Sequence, residues 1–173
     1  MKYLIISVMI GSLMSACHSG KKEIKAFYAN NGQGLVQEQD AGGIGVRATY
    51  LPVQWERMLG RENPDAAGEM TFKLNVALPA SSREANLKMQ VVSVDTLFWL
   101  VVGNDTLAAQ FTQRIPNGST SSAEYLTTFK RAVPAGTAVL YFVMNDWMYT
   151  HHKLVFPFQV TQINSIDSLS SRL

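Results

Sequence analysis

Cysteine is nearly absent from this chain: Cys17 is the only one in 173 residues. No intrachain disulfide and no multi-cysteine metal centre can therefore form, and the folded core must be stable unaided. Charge is also scarce, at 16% of residues, and almost balanced, with 15 Lys and Arg against 13 Asp and Glu. That balance leaves no overall electrostatic footprint for nucleic acid or an anionic membrane. Histidine occurs three times, as His18, His151 and His152. Long apolar runs are missing too. The run from Leu4 to Leu13 is about half of the roughly 20 residues needed to cross a bilayer. What is present is 47% hydrophobic residues, outside the low-hydropathy, high-charge regime of disorder, and a length that suits a single domain.

The amino terminus is the most distinctive segment. Met1 and Lys2 precede the short apolar run, and Met14-Ser15-Ala16-Cys17 follows it, with small residues at the two positions before the cysteine. The basic start, short apolar core and small-residue cleavage context are those of an export signal. Together with the cysteine they resemble the signal peptide and lipobox of bacterial lipoproteins. The resemblance implies that residues 1–16 are removed and that the Cys17 sulfur carries a diacylglyceryl group, with a further acyl chain on the new amino terminus. Two or more chains hold a protein stably on a membrane, where one does so only marginally. His18 stands where an aspartate would retain many such proteins in the inner membrane, so the same resemblance implies an outer-membrane anchor. Lys21-Lys22-Glu23 lacks the acidic cluster that marks surface export in some bacterial groups, so the domain is expected to face the periplasm. The segment 17–26 is expected to be a lipidated tether.

Beyond it, short apolar stretches alternate with glycine, proline and asparagine punctuation, the pattern of a mainly β domain. Phe27-Tyr28-Ala29 is a first apolar segment running into the turn-forming Asn30-Asn31-Gly32. Ile44 to Leu51 alternates with period two and ends at Pro52, and Glu69 to Leu78 alternates more cleanly, with Met70, Phe72, Leu74, Val76 and Leu78 on one side. Val53 to Leu59 is the best helix candidate. Trp55, Met58 and Leu59 share a face, between Pro52 and Gly60, and so short a helix must dock Trp55 on the sheet. Leu87 to Val94 fits strand or helix. Leu97 to Val102 is apolar on both faces and reads as a central strand, turning at Gly103-Asn104-Asp105 into a partner from Thr106 to Arg114. Strands are also expected over Glu124–Arg131, Ala138–Met144 and Lys153–Val160, the last with Pro157 at an edge. Residues 27–163 are then a single immunoglobulin-like antiparallel β-sandwich with one short helix, an open β-barrel being the alternative. Residues 164–173 are expected to be a polar C-terminal tail.

Candidates for chemistry are few. Adjacent strand residues point to opposite faces, so His151 and His152 are poorly placed to share a metal with Asp146. Gly42-Gly43-Ile44-Gly45 precedes a strand and opens no helix, which excludes a phosphate-binding loop. No local context singles out a nucleophilic serine, and Asp95 and Asp146 read as turn residues. Neither catalysis nor a cofactor is expected beyond the lipid on Cys17. The stretch Asn145 to His152 concentrates Trp147, Met148, Tyr149, His151 and His152 where a hairpin connection would ordinarily be polar. It is either a contact tip or a continuation of the strands with Trp147 turned inward. The expected function is that of a non-catalytic envelope lipoprotein binding a partner protein as an accessory or assembly subunit, with no nucleic-acid partner. The alternative is a glycan- or small-ligand-binding lipoprotein in which Trp55, Trp147 and Tyr149 form a stacking platform.

Overall fold

The computed structural model describes residues 16–29, 34–61, 63–79, 94 and 96–172, the side chains of residues 16–21 excepted. The signal peptide proper, the Asn30-Asn31-Gly32 turn, most of Leu87 to Val94, and Asp95 lie outside the described residues. Helix α1 (Ala16–Ala29) leads into strands β1 (Val36–Ala41) and β2 (Ile44–Leu51), the four-residue helix α2 (Trp55–Met58), a 3-10 turn at Ala66–Gly68 and strand β3 (Glu69–Ala77). Strands β4 (Phe98–Val102), β5 (Asp105–Ala108), β6 (Phe111–Ile115), β7 (Ser122–Lys130), β8 (Val139–Asn145) and β9 (Lys153–Gln159) follow, and helix α3 (Val160–Ser170) closes the chain.

The strands form two antiparallel sheets, ordered β1-β2-β3-β7-β6 and β5-β4-β8-β9. Without β1 and β5, the orders β2-β3-β7-β6 and β4-β8-β9 reproduce the A-B-E-D and C-F-G sheets of an immunoglobulin-like sandwich. The sheets do not close into a barrel. Where β1 approaches β9, the Gln39 side chain donates to the Val155 carbonyl at 2.6 Å instead of a strand ladder forming. The alternating strands bury the residues their period dictates: Ile44, Val46, Ala48 and Tyr50 from β2, and Leu154, Phe156 and Phe158 from β9. At the centre, Phe142 of one sheet stacks on Phe72 of the other at 4.8 Å between ring centroids, and Phe72 meets Tyr50 and Phe158 edge-on. Such aromatic pairs contribute about 0.5–1.5 kcal/mol each beyond the area they bury.

Four expectations need correction. Thr106 to Arg114 is not one strand: the chain turns at Ala109-Gln110 and crosses from β5 in one sheet to β6 in the other, with Gln110 N donating to Thr128 O at 2.8 Å. Residues 17–26 are not a loose tether but part of α1. Ile24 is fully buried and Phe27 and Tyr28 pack on the core, so Phe27 to Ala29 is helical rather than extended. Residues 164–173 are not a tail, because α3 runs to Ser170 and buries Ile163 and Ile166. No residue of α2 is buried, and Met58, not Trp55, packs against the core.

The connectivity gives the sandwich two unlike poles. At one, here the base, β2 ends, β3 and β8 begin, β7 and β9 end, and both long helices lie. A polar latch holds it together. The Asp167 carboxylate of α3 accepts from the Tyr50 hydroxyl at 2.9 Å, from the Val53 amide at 2.8 Å and from the Arg131 guanidinium. Arg131 also donates to the Tyr50 hydroxyl at 2.7 Å, and the Tyr28 hydroxyl of α1 donates to the Tyr50 carbonyl at 2.6 Å. The opposite, distal pole carries the β1–β2, β6–β7 and β8–β9 connections.

Candidate functional site

The candidate site is the β8–β9 connection at the distal pole, residues 146–152. Strand pairing stops at Asn145 and Lys153 because Asp146 turns inward and diverts the backbone. The Asp146 residue is 2% exposed. One carboxylate oxygen accepts from the amides of Met148 and Tyr149 at 2.9 and 3.0 Å. The other accepts from the amide and hydroxyl of Thr150 at 2.6 and 2.8 Å. An ionised carboxylate suits such a nest of N–H groups, since charge-assisted hydrogen bonds are about twice as strong as neutral ones. Asp146 N donates to His152 O at 3.0 Å and closes the loop at its neck. Asp146 is thus a turn residue, as the sequence suggests.

Two side chains pin this loop to the core. Met148 and Tyr149 are buried, and the Tyr149 and Tyr125 hydroxyls lie 2.7 Å apart across the two sheets. Trp147 stays outside, 48% exposed, next to the exposed His151 and His152. His151 has φ of 56°, the only positive φ outside glycine among the described residues, in a region that histidine enters more readily than most residues. The sequence left two readings of Trp147 open. The strands do not run through the segment, and the indole faces solvent on a loop whose other two large side chains face inward.

The site presents one indole and two imidazoles on a rigid support. Both oxygens of Asp146 are occupied by the loop itself, and no group of three metal-ligating side chains occurs among the described residues. Trp55 does not join this site. It belongs to the β2–β3 connection at the base, beside Pro52 and Ala66, so Trp55, Trp147 and the buried Tyr149 form no common stacking platform. Cys17 lies in α1, also at the base, its side chain outside those described.

The sequence reading missed a surface that adjoins the loop. Half-buried Trp99 and Val101, with the buried Val143 at the floor, line a shallow depression on the outer side of the second sheet that ends at Asn145 and Lys153, the two residues flanking the loop. Tyr141 and Val155 extend the same face, 42% and 36% exposed. The signal for it was the two-sided apolar character of β4 and β8, which suits a strand covered on both faces.

Burial raises the hydroxyl pKa of Tyr28, Tyr50, Tyr125 and Tyr149 above the ordinary value of 10.0, helped by Asp167 near Tyr28 and Tyr50 and by the shared hydrogen bond at Tyr125. With the folded value raised, the folded state keeps protons that the unfolded chain loses above about pH 10. Stability is therefore unaffected by these groups below that pH and falls as pH rises beyond it. Ultraviolet titration should show these four tyrosinates appearing together with unfolding, not as independent titrations near pH 10.

No family model matches the chain, and no curated protein is similar to it. Among solved structures, it is similar to a protein of unknown function from Burkholderia pseudomallei K96243, with 9% identity, 94% of each chain covered and a TM-score of 0.45. It is also similar to a DUF4426 family protein from Pseudomonas aeruginosa PAO1, with 14% identity over 73% of this chain and 92% of that one, at a TM-score of 0.39.

Proposed function

We propose that this chain is a lipid-anchored, non-catalytic protein of the bacterial cell envelope that presents its distal pole to a partner protein. The observation that carries the reading is the exposed Trp147 on a loop locked by the buried Asp146, at the pole opposite α1 and Cys17. Tryptophan held rigid and half-exposed supplies contact area at little entropic cost, and it is enriched among residues that dominate binding energy. A lipid on Cys17 holds the base at the membrane, and the β-strands, such as β8 with seven residues, carry the loop outward by about 23 Å. The partner's footprint extends from Trp147, His151 and His152 past Lys153 onto the Trp99 face. His18 after the lipidated cysteine supports anchoring in the outer membrane, and Lys21-Lys22-Glu23, which is not an acidic export cluster, supports a domain in the periplasm.

Two substitutions test the two halves. Cys17→Ser should leave the chain unprocessed and abolish acylation, which labelling with a radioactive fatty acid reads directly. Trp147→Ala should change stability by less than about 0.5 kcal/mol yet lower crosslinked recovery of the partner from intact membranes tenfold or more, since an interfacial tryptophan commonly contributes about 2 kcal/mol. Equal recovery with and without the indole would remove the loop from the interface.

A further inference from the structure

The sequence as a whole shows no charge bias, but one connection at the base sets an exposed apolar residue between two exposed cations. The β2–β3 connection at the base begins at Pro52, held by Val53 N on Asp167 and Gln54 N on the Ser170 hydroxyl, and continues through α2 to the turn at Gly60, with φ of +76°. At the turn Leu59 is 61% exposed, the most exposed large hydrophobic residue among those described. Exposed Arg57 and Arg61 flank it, and the half-buried Trp55 lies one helical turn back. Exposed Lys22 and Lys25 of α1 and Arg172 after α3 occupy the same pole. Acids share the pole, among them Glu23, Glu56, Asp65, Glu69 and the latch Asp167, but at the tip itself Leu59 stands between the two exposed guanidinium groups of Arg57 and Arg61.

We propose that this base is a membrane-contact surface, with Leu59 entering the interfacial layer and Arg57, Arg61, Lys22 and Lys25 facing anionic lipid headgroups. The inference rests on the lipid-anchor reading of Cys17. It is favoured by where the chain goes. Ile24 is buried in the core and Cys17 lies seven residues before it in the same helix, about 10 Å of helical rise, so a lipid on Cys17 brings this pole to the bilayer. An apolar tip between guanidinium groups, with an indole behind it, suits the headgroup boundary, and basic residues close to an anionic surface add to a lipid anchor. The β2–β3 connection then fixes the tilt of the domain, which a single-point anchor would leave free, and aims the distal loop away from the membrane.

Because an acylated Cys17 has no free thiol, the Leu59→Cys variant of the full lipidated protein offers one site for a nitroxide label, at an exposed position that the fold does not need. A Ser119→Cys variant labels the distal pole in the same way. Both proteins are reconstituted into vesicles of phosphatidylethanolamine and phosphatidylglycerol, and label collisions with oxygen and with a water-soluble nickel chelate are measured. The label at position 59 is expected to be several-fold better protected from nickel than that at 119, and Arg57→Glu with Arg61→Glu should abolish the difference. Equal nickel access at both positions, in protein that floats with the vesicles, overturns the contact and leaves the anchor standing. Protein that fails to float overturns both.

Discussion

Asp167→Ala is expected to lower the unfolding free energy by about 2–4 kcal/mol, measured by equilibrium denaturation with urea. Breaking a buried ion pair from one side commonly costs about 3–5 kcal/mol, because the surviving charge is left without its partner. Here the side chains of Arg131 and Asp167 remain 24% and 12% exposed, so water reaches the guanidinium and reduces that figure. The Tyr50 hydroxyl and the Val53 amide lose an acceptor in the same step, which supplies the rest. Asp167→Asn keeps the shape and one acceptor oxygen but places an amide nitrogen beside donors, so an intermediate loss is expected. The double variant Asp167→Leu with Arg131→Met should be more stable than Asp167→Ala alone, since removing both charges leaves neither stranded. If Asp167→Ala matched the starting protein, α3 would be held by its apolar packing and the Ser170 contact, with no contribution from the carboxylate.

Asp146→Ala is expected to act at the other pole, at a cost of about 2–4 kcal/mol. Three amides and one hydroxyl converge on this carboxylate, and each buried donor left without an acceptor costs about 1–3 kcal/mol. The full sum is not reached, because a connection between strands can open to water without unfolding the sandwich. Hydrogen exchange at Met148, Tyr149 and Thr150 should therefore accelerate far more than exchange in β4 or β8. Asp146→Asn should rescue little: with one oxygen on Met148 and Tyr149, its amide nitrogen must face the donors of Thr150. Partner recovery should fall with Asp146→Ala as with Trp147→Ala, although Asp146 touches no partner. The two variants separate by exchange, which stays slow in Trp147→Ala.

The strands were legible where one face is core and the other solvent. Ile44 to Leu51 and Glu69 to Leu78 match β2 and β3 to within a residue, because a period of two is the imprint of a half-buried sheet. Strand β1 was not legible: Val-Gln-Glu-Gln-Asp-Ala buries only its last residue and is a strand because β2 offers it an edge. Both long helices had a signal that went unused. Ile24, Phe27 and Tyr28 stand at i, i+3, i+4, and Val160, Ile163 and Ile166 repeat every three residues. The polar serines and asparagine between them hide the stripe that tertiary contact reveals. In the candidate site, the concentration of aromatic and histidine residues was visible, but their partition was not. Whether Met148 or Trp147 faces solvent depends on Asp146 capturing three amides, which no periodicity encodes.

By itself the sequence determined the lipoprotein-like start, the absence of an intrachain disulfide, the mainly β class and the inward face of each alternating strand, all of which can be read from composition and local pattern. The tertiary structure alone decided that residues 106–114 divide between two sheets, that Trp55 and Trp147 lie at opposite poles, and that the exposed Leu59 lies at the same pole as the two long helices. Those facts join residues tens of positions apart. Their distances are set by how two sheets pack around Phe72 and Phe142, and local residue pattern carries no information about that packing.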